Sequence, residues 1–293
     1  DYKMLTEGDK VLVAVSGGKD SLSLVKILKE RTKFVPINYE IIACFVDMGF
    51  SWVNKNILTS YLELESIPYI IVRPPDAWKG EEEPFGCFWC SWNRRKALFD
   101  IAHELRCTKI AFAHHMDDII ETVLLNLFFQ GEIGTMQPYQ EMFEGELALI
   151  RPLAYVEEHE IIKLSKVLNL PVISSECPHS NTSKRHLLKG IIKELKQHNK
   201  NVKKNIFRSL QRIREEYLLA PRNGNGDLKN SSELSNPGYP ASTAGSERSS
   251  EKKQPKTGAQ REVILPKKLV ELEEMEGRIK ELRYFAAAVF IDF

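Results

Sequence analysis

The stretch KVLVAVSGGKDS, residues 10–21, indicates the fold class of this 293-residue chain. Its first part, residues 10–16, is a run of mostly β-branched and apolar residues, which is typical of a buried strand. Two glycines end the run, and an amphipathic stretch follows from Leu22 to Glu30. A strand, a glycine turn and a helix in this order are typical of an α/β protein with a parallel sheet.

The same alternation continues to about residue 168. Four more stretches have strand patterns, and four helical patterns lie between or after them. The strands are residues 40–47, 69–73, 109–114 and 148–153, and the helices are residues 52–65, 90–105, 117–129 and 157–168. Continuously apolar strands predict a Rossmann-like parallel five-stranded sheet with helices on both faces. Ligands bind such sheets beyond the strand carboxyl ends, here after Val15, Val46 and Ala113.

Composition points to a soluble protein with a sizeable core. The chain is 43% hydrophobic and 28% charged. It contains no run of about 18 uncharged apolar residues that a membrane span requires, and its first residues lack the apolar segment of a signal peptide. Five cysteines are too few for a disulfide scaffold. We therefore expect a cytoplasmic protein without membrane association.

The net charge of +1 conceals a strong asymmetry. Residues 184–214 contain eleven Lys or Arg and one acid, whereas the rest of the chain has 30 basic and 39 acidic residues. The basic block is either a solvated helix face or a footprint for the phosphate backbone of a nucleic acid. We assign residues 1–180 to the α/β domain and residues 181–220 to a basic helical extension whose candidate ligand is a nucleic acid.

The remaining residues differ again in composition. Half of the residues in 221–260 are Pro, Gly, Ser or Asn, which predicts a disordered linker over residues 221–262. Residues 263–293 predict a final helical segment of unknown role, with apolar residues at helical spacing. This segment docks either on the body of the protein or on a second subunit, so a homodimer is one expectation.

The glycine turn has the features of an anion-binding loop. Gly17 and Gly18 permit a close backbone approach, so successive N–H groups can surround a phosphate at the start of a helix. Lys19 adds a cation, and the hydroxyl groups of Ser16 and Ser21 can donate to phosphate oxygens. The spacing differs from that of the triphosphate-binding loop GxxxxGK[ST]. The alternative is a tight turn that only joins the strand to the helix.

The cysteines suggest a metal or redox site. Cys87 and Cys90 form a C-x-x-C pair, and Cys177 stands alone before Pro178. The pair is consistent with half of a zinc site, a dithiol redox pair or part of an iron–sulfur site. Cys44 and Cys107 are expected to be small core residues.

The motifs together resemble a known family. SGGKDS is similar to the loop of the ATP-pyrophosphatase superfamily. From residue 3 to residue 219 the chain resembles the tRNA 2-thiocytidine biosynthesis family. The matching stretches are MLTEGDKVLVAVSGGKDS, CFWCSWNRR, AHHMDD, IRPLAYVEEHEI and the Cys177 region followed by RHLLKGIIKEL. Related thiouridine synthetases carry further C-x-x-C pairs, which this chain lacks.

The resemblance implies ATP and Mg²⁺ at the loop and a [4Fe–4S] cluster on Cys87, Cys90 and Cys177. Residues 16–21 would hold the ATP phosphates, with Lys19 and Asp20 also in catalysis. The segment of His114, Asp117 and Asp118 would border the nucleotide and the target base.

Several of these side chains have other interpretations. Asp117 and Asp118 are either N-terminal helix caps or Mg²⁺ ligands with a catalytic role for Asp117. Asp47 is expected to face the ribose or adenine. Arg94, one helical turn after Cys90, can stabilise developing charge or can be a surface residue.

Further aromatic and basic residues are candidates for the same site. Arg151 is a candidate contact to pyrophosphate or tRNA, and His115 is a core or supporting residue. Trp89 or Trp92 can stack on a base.

We therefore expect an ATP-dependent tRNA sulfurtransferase that adenylates C2 of a cytidine and replaces its oxygen with sulfur. The sulfur would come from a cysteine desulfurase or free sulfide, and would be carried by the cluster or by a thiol persulfide. The alternatives are a tRNA 2-thiouridine synthetase and a non-catalytic, zinc-supported RNA-binding protein.

Overall fold

A computed structural model describes residues 2–50, 53–74, 77, 87–173, 184–218 and 260–264 of the chain. The strands are β1 Asp9–Ala14, β2 Tyr39–Val46, β3 Tyr69–Arg73, β4 Lys109–Ala111, β5 Tyr139–Met142, β6 Leu147–Ile150 and β7 Gln260–Ile264. The helices are α1 Lys19–Arg31, α2 Lys55–Leu64, α3 Cys87–Glu104, α4 Met116–Phe129, α5 Glu158–Val167, α6 Lys184–His198 and α7 Val202–Ser209. Two short 3₁₀ turns lie at Phe143–Gly145 and Glu215–Tyr217.

The described strands form one sheet in the order β5-β6-β4-β1-β2-β3-β7. The five central strands, from β6 to β3, are parallel to one another, which confirms the predicted five-stranded parallel core. The sequence prediction missed two antiparallel additions, β5 beside β6 and β7 beside β3. β5 escaped prediction because its four residues are mostly half-exposed and lack a buried apolar run.

Both faces of the sheet are covered, because neighbouring residues of a strand point in opposite directions. Val11 and Val13 of β1 are fully buried in one apolar cluster with residues of α1, α2 and α5. Leu12, between them, is buried in the other cluster, to which α3 contributes Ala97 and Ile101. This two-sided burial explains the continuously apolar strands and confirms the α/β class.

The strand order locates the ligand-binding edge. Counted along the chain, the five parallel strands lie in the order 3-2-1-4-5, and the order reverses between β1 and β4. The crevice beyond the carboxyl ends of two such strands is where open α/β sheets bind ligands. The glycine loop follows β1 and the His114–Asp118 segment follows β4, so both predicted segments begin at this crevice.

Other sequence-based boundaries shift or fall on undescribed residues. Residues 260–262, which the predicted linker included, belong to strand β7, while residues 221–259 and 265–293 lie outside the described residues. Within the basic extension predicted over residues 181–220, the last α-helix ends at Ser209.

The described residues up to Phe207, with β7, belong to one compact unit, and residues 208–218 belong to another. Across the described residues, every helix is too short or too polar to span a lipid bilayer.

Candidate active site

The glycine loop forms a turn that its own serines hold in place. Gly17 has a φ of +83°, in the left-handed region that favours glycine. The backbone N–H of Ser16 donates to Ser21 Oγ at 3.1 Å, and Ser21 Oγ donates to the Gly18 carbonyl at 3.0 Å. Among the described residues, no side chain caps α1 at Gly18. The first N–H groups of α1 therefore face the crevice without a side-chain acceptor, as an anion site requires.

Gly17 is also in close contact with the chain that follows α5. Its carbonyl accepts a hydrogen bond from the N–H of Ile173 at 2.9 Å. A Cβ built on Gly17 would lie 2.8 Å from Ile173 Cδ1, closer than two carbon atoms can approach. Position 17 thus needs glycine both for its φ and for this contact. Ile173 is the last described residue before the segment that contains Cys177.

Lys19 lies at the amino end of α1 and is held by two carboxylates. Its Nζ is 2.9 Å from Glu158 Oε1 and 3.1 Å from Asp20 Oδ2. Burial alone would lower the pKa of Lys19, but its hydrogen bond to Glu158 and the charges of both carboxylates outweigh this effect, so the pKa is raised. The ammonium group is therefore fully charged at neutral pH, and an incoming phosphate would compete with Glu158 for it.

The segment after β4 brings a buried histidine next to the loop. The His115 side chain is 5% exposed, and its Nε2 lies 3.7 Å from Asp20 Oδ1 and 3.5 Å from Asp118 Oδ2. Asp118 also accepts the backbone N–H of His115 at 3.0 Å, which is the helix-capping interaction considered for this residue. Asp20 Oδ1 and His115 Nδ1 are buried without a hydrogen-bond partner among the described residues.

Asp117 is buried, and both of its oxygens have partners within the protein. Oδ2 accepts the backbone N–H of Glu158 at 2.8 Å, and Oδ1 binds Lys203 Nζ of α7. Burial would raise the pKa of Asp117, but the Lys203 and Glu158 hydrogen bonds and the Lys203 charge lower it overall. These contacts make Asp117 the junction of α4, α5 and α7, and its catalytic role remains a prediction.

His114 precedes His115 and lies beside the ring of Phe112 at a centroid distance of 5.6 Å. Burial lowers the pKa of His114 to about 4; the charge of Asp118 opposes this, and Arg151, Arg185 and Arg95 add to it. The imidazole is therefore neutral at physiological pH, in a cationic part of the crevice.

The other predicted side chains belong to neighbouring elements of the fold. Asp47 follows β2, with Oδ2 at 2.6 Å from Lys55 Nζ and Oδ1 accepting the N–H of Gly49 at 2.9 Å. Burial would raise the pKa of Asp47, and these partners lower it overall. Arg151 is buried after β6 and donates to the Gln137 carbonyl. Arg94 is half-buried on α3.

The cysteine pair occupies the first turn of α3. Cys87 is the first residue of this helix and Cys90 lies one turn later, half-buried and not in a disulfide. A spacing of three residues puts two side chains on one helix face, which fits two thiolate ligands of one cluster. Cys177 and the side chain of Cys87 lie outside the described residues. Among described side chains, no group of three or more His, Cys, Asp or Glu can hold a metal ion.

The basic extension is partly engaged inside the protein. Arg185 and Lys189 of α6 contact the buried Glu121 of α4 at 3.4 and 3.7 Å. Burial raises the pKa of Glu121, and these two cations only partly offset that effect. Other lysines of the same block are exposed and have no ion pair among the described residues. They are Lys193, Lys196, Lys200 and Lys204.

Sequence reasoning missed three residues that the structure brings to the site: Glu158, Ile173 and Lys203. Glu158 was visible only as an acid in a first helical turn, where the helix dipole alone accounts for it. Lys203 was one lysine in a basic block. Nothing in the sequence indicated the contact of Ile173 with Gly17.

Comparison with known proteins supports one family. A PP-loop domain matches residues 92–195. The tRNA-cytidine(32) 2-sulfurtransferase of Geobacter sulfurreducens is 35% identical over 225 residues, which cover 75% of this chain and 88% of that protein. The protein of the same name from Acinetobacter baylyi is 39% identical over 220 residues, covering 73% and 72%.

A solved structure agrees in fold. It is the U34-tRNA thiolase NcsA from Methanococcus maripaludis with its [4Fe-4S] cluster, which matches with a TM-score of 0.62 at 26% identity, covering 78% of this chain and 79% of that chain. The parallel sheet, the glycine loop at its switch point and these similarities lead to one conclusion. The chain belongs to the tRNA-cytidine(32) 2-sulfurtransferase family and is a sulfurtransferase enzyme.

Proposed function

We propose that this protein adenylates C2 of a cytidine in tRNA and replaces the C2 oxygen with sulfur, giving 2-thiocytidine. The observation that carries the proposal is the similarity to relatives named tRNA-cytidine(32) 2-sulfurtransferase over 225 residues. Position 32 is the base position in those names, and we infer the same position here. Because the chain belongs to a family of enzymes, the alternative of a non-catalytic RNA-binding protein is disfavoured.

The reaction needs activation because the C2 oxygen is a poor leaving group. This oxygen attacks the α-phosphorus of ATP, and pyrophosphate leaves. Free sulfide, or sulfide that a thiol reductant releases from the persulfide of a cysteine desulfurase, then attacks C2, and the oxygen departs in AMP. The amino end of α1 and Lys19 suit the first step, because fixed N–H dipoles and a cation stabilise charge that develops on phosphate oxygens.

The carboxylates of the loop suit a metal ion that arrives with the nucleotide. Asp20 Oδ1 lacks a hydrogen-bond partner among the described residues, and Asp118 is nearby across His115. Carboxylate oxygens are the ligands that Mg²⁺ prefers, usually one or two of them together with substrate phosphates. We assign Asp20 and Asp118 as the residues that would face Mg²⁺.

We further propose that Cys87, Cys90 and Cys177 hold a [4Fe–4S] cluster. Cys87 and Cys90 begin the helix that follows β3, and the structural neighbour carries a cluster of this type. When bound by three cysteines, such a cluster supplies one iron with an open position for a sulfur ligand. The neutral His114 and the cations near it would line the path of the target base.

The test is a nucleoside analysis of tRNA treated with the full chain, purified without oxygen and supplied with ATP, Mg²⁺ and sulfide. We expect 2-thiocytidine by mass spectrometry, and AMP and pyrophosphate formed in equal amounts. Cys177→Ala should abolish thiolation while leaving ATP binding largely unchanged. Thiolation by this variant would contradict the three-cysteine site.

A second candidate product is 2-thiouridine, since the solved structural neighbour is a U34-tRNA thiolase. The two products differ in mass and in chromatographic retention, so the same nucleoside analysis distinguishes them. A product of 2-thiouridine alone would contradict the cytidine assignment and leave the thiolation chemistry intact.

A further inference from the structure

Two large aromatic side chains project from α3 next to the cysteine pair without packing into the core. Phe88 is 79% exposed and Trp92 is 60% exposed. They lie one helical turn apart, and their rings are nearly parallel, with 18° between the planes and 6.3 Å between the centroids. An exposed aromatic pair contributes little to folding, because burial is what stabilises an apolar side chain. Such pairs are typical of binding surfaces.

Trp89 behaves differently and provides an internal comparison. It is half-buried and packs against the apolar cluster between the sheet and α3. Of the two tryptophans that the sequence suggested for base stacking, only Trp92 therefore presents its ring to solvent. The second exposed ring belongs to Phe88, which the sequence did not single out.

The charge around the aromatic pair favours an anionic ligand. Arg95, seven residues after Phe88, lies on the same helix face, because seven residues complete about two turns. Arg95 is exposed, and its charge is close enough to lower the pKa of His114 in the crevice. The neighbouring Lys96 is also exposed. Exposed cations thus follow the aromatic pair along α3.

The other end of α3 has the opposite character. Phe99 packs edge-on against Phe143 at a centroid distance of 5.8 Å, so its ring is in contact with another side chain of the protein. Exposed acids, Glu144 and Glu146, adjoin Phe143. A polyanion would therefore be attracted to the first two turns of α3 and repelled from the hairpin that joins β5 and β6.

We propose that Phe88, Trp92 and Arg95 form a platform on which an unpaired nucleobase of the tRNA loop stacks beside the reacting cytidine. The proposal rests on the proposed tRNA substrate and adds a binding subsite to it. Aromatic rings stack on any base, and a nearby guanidinium holds the adjoining phosphate. A stacked neighbour would keep the loop open while the target base leaves its stack, because unpaired bases cost least to move.

The experiment measures binding of a fluorescently labelled, unmodified anticodon stem–loop RNA to the full chain, without ATP, at several salt concentrations. We expect the double variant F88A/W92A to bind about tenfold or more weakly, with the same slope of log affinity against log salt. Stacking releases no counterions, so its loss leaves the slope unchanged. Arg95→Ala should instead make the slope shallower by about one unit. The single variant Trp92→Tyr keeps an aromatic ring at this position and should retain most of the wild-type affinity for the RNA.

Phe34→Ala is the matched control, since Phe34 is 42% exposed and lies after the far end of α1. It should bind RNA as the wild type does. Wild-type affinity of F88A/W92A for the RNA would overturn the proposal. A change in the oligomeric state of this variant, measured by light scattering, would also overturn it, because the aromatic pair would then be covered by a second copy of the chain. Nucleoside analysis of the wild type judges the proposed function separately, since the binding arm requires no thiolation.

Discussion

At the scale of single residues, Gly17 links the phosphate loop to the chain that leads to Cys177. A methyl group at this position meets the Ile173 side chain, and the φ of +83° adds backbone strain. We expect Gly17→Ala to lose about 1–3 kcal/mol of unfolding free energy, mostly from that strain. Because the loop must shift to relieve the contact, we also expect at least a tenfold loss of ATP affinity, measured by calorimetry.

Gly8→Ala separates the two effects. Gly8 has a φ of +79° as well, but a Cβ there would meet nothing within 4 Å. This variant should lose comparable stability and keep its affinity for ATP. Equal ATP affinity in the Gly17→Ala and Gly8→Ala variants would show that the Ile173 contact does not shape the loop.

His114 gives a pH dependence with a defined sign. Its pKa falls from 6.5 to about 4 on folding, mainly because it is buried. The unfolded chain therefore takes up a proton at a higher pH than the folded one, so stability decreases as the pH falls from about 6.5 toward 4. We expect His114→Asn to remove this contribution to the pH dependence of stability. The wild-type unfolding free energy, measured in urea, should drop by about 2 kcal/mol more than that of the variant between pH 7 and pH 4.5.

The carboxylates with lowered pKa values, such as Asp117 and Glu158, also destabilise the protein at low pH. They are present in both proteins, so their contribution cancels in the difference. A difference between wild type and variant that stays constant with pH would mean that His114 is not held neutral by its surroundings.

At the scale of elements, Lys203 fastens α7 to the start of α4 through Asp117. Asp117 also receives the first N–H of α5, and Glu158 of α5 binds Lys19 of the loop. Lys203→Met leaves a buried carboxylate without its cation, which should cost about 2–4 kcal/mol of unfolding free energy. Thermal and urea unfolding at pH 7 measure this loss.

Lys204→Met is the matched control, because Lys204 is exposed and has no ion pair among the described residues. Its stability should lie within about 0.5 kcal/mol of the wild type. A double-mutant cycle with Asp117→Asn then isolates the pair. A coupling energy near zero would contradict the bond as a fastening between these helices.

At the scale of the whole molecule, the sequence predicts the parallel core and the family, whereas the tertiary pairings require the structure. Stretches such as residues 41–46 of β2 are apolar throughout because both faces of the strand are covered, and this pattern is local in sequence. Contacts of Lys203 with Asp117, or of Ile173 with Gly17, join residues far apart in the chain. The periodicity of apolar residues along the sequence does not predict such contacts. The edge strand β5 was missed for a related reason, since a half-exposed strand has little apolar signal.

These ion pairs show which cations of the basic block are available to bind a ligand. Eleven cations lie between residues 184 and 214, yet Arg185, Lys189 and Lys203 are already paired with acids of α4. The exposed lysines that form no ion pair with any described residue, such as Lys193 and Lys196, are therefore the better candidates for tRNA phosphates. We expect K193E/K196E to weaken tRNA binding at least tenfold and to make the salt slope shallower by about two units.

Lys163→Glu, on the exposed face of α5, controls for a charge reversal outside the basic block and should alter affinity less than threefold. Lys189→Glu should differ from both, because it places a like charge next to the buried Glu121 and should lower thermal stability as well as affinity. If K193E/K196E retains wild-type affinity and slope, the basic block is a solvated helix face, and tRNA must be held by other cations, of which those beside α3 come first.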